Sequence, residues 1–560
     1  MALLSAKNAM LRQLYLDHVS VIFGNPGSVE EGFLAAVGQY GRIEYVLGLQ
    51  EASVAAMADG YARVTHRPAV VQLHSAVGLG NGIGVLYEAN RSHTPMVMIA
   101  GEAYSDMQAF DGFLAGDLAE MVKPVTKWSA RVTHGSQLLR VLRRAFKVAA
   151  TPPQGPVFLA LPMDVLDQEV EADLVPTSLV DTRAACSLET ADLIAKHLVD
   201  ASSPMLLIGD GVVLSDAVDE LRTLAELLAI PTWGVDFSEL NASYKDPMFM
   251  GMLGHSFGDN TRLVTSTADV LLAISTPLFP ELFPSRESYF RQNAVLMQID
   301  LNPWEIAKNF PVAAGVAADP KLSLKLVIDA VKRRLPTDLS AVEARRSAVL
   351  SRKDTDRKAV QARYDAMPDT SDAMSSATMM RTLSEALPQD VLIYDESITS
   401  TEYLLHYRQP SLPGSYFLGR GGCIGVGWPG AVGASFAQPD RYVIAPSGDG
   451  SAIFALQSLW TAAHYNRKVI FVVCDNRAYR ILKINILHYW RETGQPVDSF
   501  PFMDLNSPFL DFVKLAEGFG MPAITVMTAD SLRSAVAAAL QRNGPSLIDV
   551  RISGHVDITT

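Results

Sequence analysis

The chain alternates short β-branched runs with stretches of helical hydrophobic period, and this alternation recurs along its length. Such a pattern is typical of parallel α/β domains. We predict strands in three successive groups: Val19–Phe23, Ala69–Leu73, Met96–Ala100 and Val157–Leu161; Met205–Ile208, Val270–Ile274 and Val295–Ile299; and Val391–Tyr394, Tyr442–Ala445, Val469–Cys474 and Ser546–Val550. The sequence therefore predicts an α/β protein of three domains with mostly parallel sheets.

Two breaks in the pattern indicate where these domains end. Asp167–Arg183 is rich in acidic residues, proline and serine, as in a linker, and Ala341–Met367 is densely charged and compatible with a solvated surface helix. A chain of 560 residues is long enough for three or four domains. We predict domains at residues 1–180, 190–340 and 371–560, with a charged connector at 341–370.

The amino-acid composition restricts which molecules the protein is expected to bind. The 47 basic and 60 acidic residues give a net charge of −13, which argues against a nucleic-acid or anionic-membrane surface. Cys186, Cys423 and Cys474 have neither metal-ligand spacing nor the pattern of a disulfide framework, so a reducing compartment fits. There is no signal-peptide pattern and no apolar run of the ~20 residues that a membrane helix needs. We expect a cytoplasmic enzyme with no nucleic-acid and no membrane partner.

A phosphate and metal site is indicated around residue 449. The strand Tyr442–Ala445 runs into a turn that contains Gly448, Asp449 and Gly450, and a helical stretch follows. Glycines let the backbone approach an anion, and a helix N-terminus offers free N–H groups to phosphate oxygens. Asp449 is an oxygen ligand suited to Mg²⁺. Asn476 follows the next strand, 27 positions later, so both side chains are expected at adjacent strand ends, where open α/β sheets bind ligands.

A second Gly-Asp-Gly, at Gly209, Asp210 and Gly211, also follows a strand. At the same 27-residue spacing, however, the chain has Phe237. We interpret this copy as an ordinary βα turn, and the copy at Asp449 as functional because its partner stands at the right spacing.

Another group of motifs lies between residues 23 and 75. Glu51 belongs to a stretch of otherwise small and apolar residues, so its carboxylate is expected to be partly desolvated and able to share a proton with a ring nitrogen. The alternative is a helix N-terminal charge that the helix dipole stabilises. His74 follows the strand Ala69–Leu73 and precedes a glycine-rich turn. It is either an active-site histidine or a hydrogen-bonded core histidine.

Together these motifs resemble the thiamine-diphosphate-dependent 2-oxo-acid decarboxylase and acetolactate synthase superfamily, and within it the benzoylformate decarboxylases. The resemblance covers nearly the whole chain and is densest in FGNPGS, LQEASVAAMADGYA, LHSAVGLGN, GDGSA and LWTAAHYN. It implies a pyrimidine-binding, a central and a diphosphate-binding domain in that order. It also implies thiamine diphosphate and Mg²⁺ as cofactors, and a 2-oxo acid or aldehyde as the substrate.

The resemblance assigns the cofactor-binding residues. Glu51 matches the family glutamate that protonates the pyrimidine ring of the cofactor, so it is expected to be both catalytic and cofactor-binding. Asp449 and Asn476 match the Mg²⁺ ligands, and the backbone carbonyl of Ala478 completes the set. The remaining cofactor contacts are expected from Ile424, which aligns with the apolar residue that bends the cofactor, and from Gly448, Gly450, Ser451 and Thr399.

The resemblance also concerns the substrate and the assembly. Ser28 and His74 match polar residues that benzoylformate decarboxylases direct at the substrate carboxylate and at proton transfers. In this family the cofactor lies between two subunits, with Glu51 from one and Asp449 from the other. A homodimer is therefore the minimum assembly, and a homotetramer is expected.

Departures from the family pattern bear on the reaction. Benzoylformate decarboxylases supply a second active-site histidine after the strand that corresponds to Val270–Ile274, but the aligned position here is Leu282. General acid help at a protonation step is typically worth about 10²–10⁴-fold. We therefore expect slower aldehyde release, so that carboligation competes with simple decarboxylation. Asp475 replaces a usual second Asn, and Ile398 stands where benzoylformate decarboxylases have a hydroxyl residue.

Several alternatives stay open at the level of sequence. A benzaldehyde-lyase-like or acetolactate-synthase-like lyase or ligase would share these motifs. A non-catalytic thiamine-diphosphate-binding protein is disfavoured because Glu51, Asp449 and Asn476 are all present. The segment 478–492, with its apolar residues Ile481, Leu482, Ile484 and Trp490, either lines a substrate channel or forms a plain core helix.

Overall fold

The structure is a computed structural model that describes residues 2–235, 238–254, 256–279, 281–494 and 499–556. Phe237, used above to compare the two Gly-Asp-Gly turns, lies outside these residues. The chain divides into two compact units. The first comprises Met1–Val180, Met367–Arg408 and Leu418–Thr560, and the second comprises Asp181–Ala366 and Gln409–Phe417.

The N-terminal part is built on a six-stranded parallel sheet with the order β3-β2-β4-β5-β7-β6. The strands of this part are Ala2–Ser5 (β1), Val21–Gly24 (β2), Glu44–Leu47 (β3), Ala69–His74 (β4), Met96–Glu102 (β5), Trp128–Arg131 (β6), Pro156–Pro162 (β7) and Glu169–Ala172 (β8). The helices are Ala6–Leu16 (α1), Glu31–Tyr40 (α2), Glu51–Thr65 (α3), Ser75–Arg91 (α4), Leu118–Val122 (α5), Leu138–Ala150 (α6) and Met163–Asp167 (α7).

The central part contains a second six-stranded parallel sheet, with the order β11-β10-β9-β12-β13-β14. Its strands are Pro204–Ile208 (β9), Thr232–Gly234 (β10), Phe249–Met252 (β11), Val270–Ile274 (β12), Val295–Asp300 (β13) and Ala314–Ala317 (β14). Its helices are Leu188–Asp200 (α8), Gly211–Leu214 (α9), Val218–Leu228 (α10), Gly258–Thr265 (α11), Pro320–Arg334 (α12) and Ser340–Asp365 (α13).

The C-terminal part contains the third sheet, with the order β16-β15-β17-β18-β20-β19. Its strands are Leu392–Asp395 (β15), Tyr416–Leu418 (β16), Val443–Gly448 (β17), Val469–Asp475 (β18), Ala523–Val526 (β19) and Ser546–Arg551 (β20). Its helices are Ser376–Ala386 (α14), Thr401–Arg408 (α15), Gly427–Ala437 (α16), Asp449–Ala452 (α17), Gln457–His464 (α18), Arg480–Thr493 (α19), Phe512–Gly518 (α20) and Ala529–Gln541 (α21). Short 3₁₀ helices lie at Ser105–Phe110, Lys123–Val125, Gly135–Gln137, Ile398–Ser400 and Ile453–Ala455. Three parallel sheets with covering helices confirm the predicted α/β class.

The segments expected to connect the domains differ in structure. The first part of the predicted linker Asp167–Arg183 is not a loop, because β8 pairs antiparallel with β1. The charged stretch is a 26-residue helix, α13, in which only Val342, Val349 and Tyr364 are buried, as expected for a solvated helix. The domain boundaries given above remain predictions.

Two helices of the first unit cross at glycines. A Cβ atom on Gly60 of α3 would overlap the carbonyl oxygen of Gly430 in α16, and one on Gly433 would overlap the carbonyl oxygen of Met57. The backbones of α3 and α16 therefore touch, which only glycine permits. This crossing fixes the helix that begins at Glu51 against the C-terminal part of the unit. In the described part of the chain, no helix is long and apolar enough to cross a membrane.

Candidate active site

Glu51 is the first residue of α3, and its carboxylate faces the beginning of α4. The helix starts there because the side chain of Gln50 accepts a hydrogen bond from the Ser53 N–H at 2.8 Å. Asn81 donates its side-chain amide to Oε2 of Glu51 at 3.1 Å, and a Cβ on Gly78 would stand 3.2 Å from Oε1. Glu51 is half-buried, in line with the expected partial desolvation.

His74 ends β4 and pairs with a carboxylate that sequence reasoning missed. Its Nδ1 lies 2.9 Å from Oε2 of Glu30, a buried residue that also accepts the N–H groups of Gly27 at 3.0 Å and Gly101 at 2.9 Å. Burial raises the pKa of Glu30, and the hydrogen bond from His74 opposes that rise. The His74 side chain is 19% exposed, so the ring is oriented through one nitrogen and still reaches the surface.

Ser28 lies at the same rim as His74. It is exposed, in the turn that follows β2, and the preceding Gly27 packs so closely on the His74 imidazole that a Cβ would overlap the ring. The structure thus places the turn that contains Ser28 against His74, at the carboxyl edge of the N-terminal sheet.

Asp449 follows β17 at the carboxyl edge of the C-terminal sheet and is buried. Its Oδ1 accepts the N–H of Gly450 at 2.8 Å, whereas its buried Oδ2 makes no hydrogen bond within the described residues. Burial, and then the nearby Asp475, raise the pKa of Asp449 to about 7. A buried carboxylate oxygen without a donor is costly unless a cation completes it.

The residues beside Asp449 fit a hard cation. Asn476 follows β18, which pairs with β17, and its Oδ1 accepts the Ala478 N–H at 3.0 Å. No group of three or more His, Cys, Asp or Glu side chains in the described ranges could hold a metal. A cation here would therefore depend on one carboxylate with amide and backbone oxygens, a donor set that suits Mg²⁺.

The same turn leaves room for an anion. Gly450 has no space for a side chain, because a Cβ would lie 2.5 Å from the ring of Tyr479. A Cβ on Gly448, in contrast, would meet only Ser451 Oγ, 4.0 Å away. Ser451 is buried within the first turn of α17. These residues form an open cradle of backbone and hydroxyl groups next to Asp449, as a diphosphate requires.

Asp475, which replaces the usual Asn, forms an ion pair with an arginine side chain. Arg551 donates to Oδ2 of Asp475, and the Arg477 N–H donates to Oδ1 at 3.2 Å. Asp475 is buried, with 3% of its side chain exposed, and Arg551 is half-buried, with 11% exposed. The Asp475–Arg551 pair therefore compensates the acid that replaces the usual Asn.

Ile424 lies in a loop that buried carboxylates hold in place. Gly422 and Gly425, on either side, have φ angles of 80° and 81°, which side chains rarely allow. The Gly425 and Gly427 N–H groups donate to the buried Glu396 at 2.6 and 2.8 Å. Burial raises the pKa of Glu396 to about 7. Ile424 itself is 40% exposed, so the loop presents an apolar side chain on an anchored backbone.

Strained residues stand at three of these strand ends. Ile398, in the 3₁₀ helix that holds the half-buried Thr399, has a φ of 52°, Ser75 after β4 has 46° and Arg477 after β18 has 56°. Such conformations cost about 1–3 kcal/mol each and cluster at functional sites. No sequence pattern indicates this strain.

The helix α19 is not a core helix within this chain. Of its residues only Leu487 is buried, so that alternative for segment 478–492 is wrong. Leu482 is 44% exposed, and Ile481, Ile484 and Trp490 are half-buried. The role of these residues in a substrate channel stays a prediction.

The second Gly-Asp-Gly turn is closed on itself. Asp210 accepts the N–H and the hydroxyl of Ser238, both at 2.8 Å, and a Cβ on Gly209 would lie 2.5 Å from the carbonyl oxygen of Ser275. The Asp210 carboxylate thus binds the loop that contains Ser238, which agrees with the interpretation of this Gly-Asp-Gly as an ordinary βα turn.

Comparison with family models gives three matches in chain order. Residues 4–122 match the thiamine pyrophosphate enzyme N-terminal TPP binding domain, residues 191–327 the central domain, and residues 398–550 the C-terminal TPP binding domain.

Curated relatives and solved structures agree with these matches. The chain is 31% identical to a benzoylformate decarboxylase of Pseudomonas aeruginosa, over 95% of this chain and 96% of the relative. It is 25% identical to the acetolactate synthase large subunit of Haemophilus influenzae, over 99% and 96% of the two chains. The thiamine diphosphate-dependent 4-hydroxybenzoylformate decarboxylase of Rhodococcus jostii RHA1 superposes with a TM-score of 0.84, at 28% identity and 98% and 99% coverage. The chain therefore belongs to the thiamine-diphosphate-dependent enzymes, in the family that includes benzoylformate decarboxylases and acetolactate synthases.

Proposed function

We propose that this protein is a thiamine-diphosphate- and Mg²⁺-dependent decarboxylase of aryl or bulky aliphatic 2-oxo acids, with carboligase activity. The observation that carries the proposal is the pair of His74 and Glu30, which presents an oriented imidazole against the turn that contains Gly27 and Ser28. When bound, thiamine diphosphate accepts the electron pair released as the bond to the carboxyl carbon breaks.

Each residue has a defined task in this proposal. Glu51 shares a proton with the pyrimidine ring and is itself oriented by Asn81. Ser28 binds the substrate carboxylate, and His74 moves a proton at the product stage. Ile424 and Thr399 contact the cofactor.

The C-terminal residues hold the charged end of the cofactor. Asp449, Asn476 and the carbonyl oxygen of Ala478 bind Mg²⁺, while Gly448, Gly450 and Ser451 contact the diphosphate. Support comes from the buried Oδ2 of Asp449, which has no donor within the described residues, and from the open space at Gly448.

Two parts of the proposal rest on exposed apolar side chains: the preference for aryl or bulky aliphatic 2-oxo acids as substrates, and the assembly of the chain into an oligomer. The carboxyl edge of the C-terminal sheet carries Ile398, Ile424, Phe454 and Leu482, which are 40–56% exposed. An apolar substrate and a second subunit would cover such surface. We propose a cytoplasmic homodimer or homotetramer, which light scattering of the purified protein would distinguish from a monomer.

A second candidate is a lyase or ligase of the benzaldehyde lyase or acetolactate synthase type. Leu282, at the position where benzoylformate decarboxylases have a histidine, is apolar and 66% exposed, so it supplies no proton there. This observation favours C–C bond formation over aldehyde release, and the products separate the two candidates.

The experiment is CO₂ release by protein reconstituted with thiamine diphosphate and Mg²⁺, across a panel of aryl and alkyl 2-oxo acids. Glu51→Gln is expected to abolish release, whereas Glu120→Gln, at an exposed residue paired with Lys123, keeps it. Aldehyde and acyloin are then quantified. If no acid releases CO₂ although the cofactor binds, the decarboxylase proposal fails, and benzoin cleavage tests the lyase.

A further inference from the structure

A buried carboxylate of the N-terminal part holds the backbone of the loop that carries Ile424. Glu88 lies on α4 and is fully buried. Its Oε1 accepts the Arg420 N–H at 2.6 Å, and its Oε2 accepts the Cys423 N–H at 3.3 Å. Gly421, the first of the two glycines between them, fits so tightly that a Cβ would stand 2.6 Å from Oε2 and 2.9 Å from the Cα atom of Glu88.

An arginine fixes Glu88 from the other side. Arg63 of α3 donates to Oε1 of Glu88 at 3.2 Å and to the carbonyl oxygen of Leu418, where the loop begins, at 2.5 Å. Ser92, which caps the C-terminus of α4, donates its hydroxyl to the same Oε1 at 3.1 Å. The carboxylate thus meets donors from α3, α4 and the loop.

Arg63 is shared with a second buried acid. Its Nε lies 2.8 Å from Oδ2 of Asp59, which also accepts the hydroxyl of Tyr394 at 3.2 Å. Burial raises the pKa of Asp59, although Arg63 opposes the rise. For Glu88, Arg63 and the N–H groups of the loop outweigh burial and lower the pKa. Arg63 and the loop N–H groups therefore favour the charged form of the Glu88 carboxylate that holds the loop.

The position of Glu88 on α4 connects this loop to the N-terminal site residues. The helix α4 begins directly after His74, and its Asn81 binds Glu51. The far end of the loop is held by Glu396, so Ile424 stands between two carboxylate anchors, one from each part of the unit.

We propose that Glu88 is a positioning residue for the cofactor: by binding the Arg420–Cys423 backbone, it sets the position at which Ile424 supports thiamine diphosphate. This inference rests on the proposed role of Ile424. It assigns to Glu88 an effect on cofactor affinity that a purely structural ion pair would not have.

The test measures the thiamine diphosphate dissociation constant of the apoprotein, with Mg²⁺ present, for Glu88→Gln. The amide keeps the shape of the side chain but turns a donor toward one of the loop N–H groups or Arg63. We expect affinity to fall at least about tenfold, the size of one lost charge-assisted hydrogen bond. Asp269→Asn is the matched control, because Asp269 accepts the N–H groups of Ser202 and Ser203 and pairs with Arg291 in the central part. It should lose stability but not cofactor affinity.

A second pair of variants tests the role of Glu88 in cofactor affinity if Glu88→Gln folds poorly. Gly421→Ala must displace the loop from Glu88 without changing any charge, whereas a Cβ on Gly419 would meet its neighbours at an ordinary 3.5–3.7 Å. We expect Gly421→Ala to weaken binding and Gly419→Ala to leave it unchanged. Equal affinities in Gly421→Ala, Gly419→Ala and wild type would overturn the proposal. The measurement of cofactor affinity uses no substrate. Its result can therefore be interpreted even if the protein proves not to be a decarboxylase.

Discussion

Glu30 accepts hydrogen bonds from two backbone N–H groups, and its Oε2 lies 2.9 Å from Nδ1 of His74. The N–H groups of Gly27 and Gly101 hold the carboxylate, and the carboxylate in turn fixes the ring. Because one nitrogen of an imidazole sets what the other can do, this contact decides the tautomer that His74 presents to a substrate. Glu30 thus orients a residue 44 positions away.

The first prediction follows from this pair. In Glu30→Gln a neutral amide replaces the carboxylate that orients the His74 ring. Because His74 itself is retained, we expect kcat to fall about 10–100-fold, less than the roughly 10²–10⁴-fold that general acid–base catalysis typically contributes. Thiamine diphosphate affinity should stay unchanged, and the pH profile of kcat should shift.

Glu102→Gln provides the control for Glu30→Gln. Glu102 is a buried acid at the end of β5 that binds Arg131 through both oxygens at 2.7 Å. This variant should destabilise the protein and retain the wild-type pH profile. If both variants changed the profile alike, a specific role of Glu30 would be excluded.

The second prediction concerns the two Gly-Asp-Gly turns. Asp449→Asn removes the charge of a buried oxygen that lacks a donor in the described part of the chain, so Mg²⁺ and thiamine diphosphate binding should fall by at least about 100-fold. Asp210→Asn makes the same change where the carboxylate already binds Ser238. It should cost stability alone. Calorimetric titration of both apoproteins measures the difference, and equal loss of cofactor binding would contradict the assignment.

The strands that the sequence predicted are mostly the inner ones. In the N-terminal sheet β2, β4, β5 and β7 were found, and the two edge strands, β3 and β6, were missed; in the C-terminal sheet the edges β16 and β19 were missed. Inner parallel strands are buried on both faces and read as continuous apolar runs. The residues of β6 are all half-buried, so they carry no such run.

The residues of the candidate site likewise fall into those that the sequence predicted and those that it did not. Asp449 could be predicted from the sequence because this metal-ligating residue and the glycines of its turn are consecutive in the chain. Glu30, Glu88 and Glu396 were not found, because each acts on residues that lie far along the chain and are joined to it only by the fold. Their common signal is an acid buried among backbone N–H groups, which a single sequence does not display.

The third prediction concerns pH. Burial raises the pKa of Glu396 from 4.5 to about 7, so the folded state binds a proton that the unfolded state has already lost. Its contribution to stability is full below about pH 4.5 and is lost as the pH rises to about 7, by at most ~1.4 kcal/mol per pH unit. Glu396→Gln removes this dependence. Urea unfolding of the apoprotein between pH 4.5 and 8 should show a smaller decline for the variant, and parallel curves would contradict the prediction.

The last prediction tests the missing proton donor. Leu282 is 66% exposed, so Leu282→His costs little packing energy and the folded protein is expected to keep its stability. The resemblance to benzoylformate decarboxylases implies that a histidine at this position would stand in for their second active-site histidine, and we expect it to speed the protonation that precedes aldehyde release. We therefore expect the ratio of aldehyde to acyloin to rise several-fold, measured by chromatography at fixed aldehyde concentration. Leu282→Gln, which is polar but cannot exchange a proton, is the control. An unchanged product ratio in Leu282→His would show that the absence of this histidine does not favour carboligation.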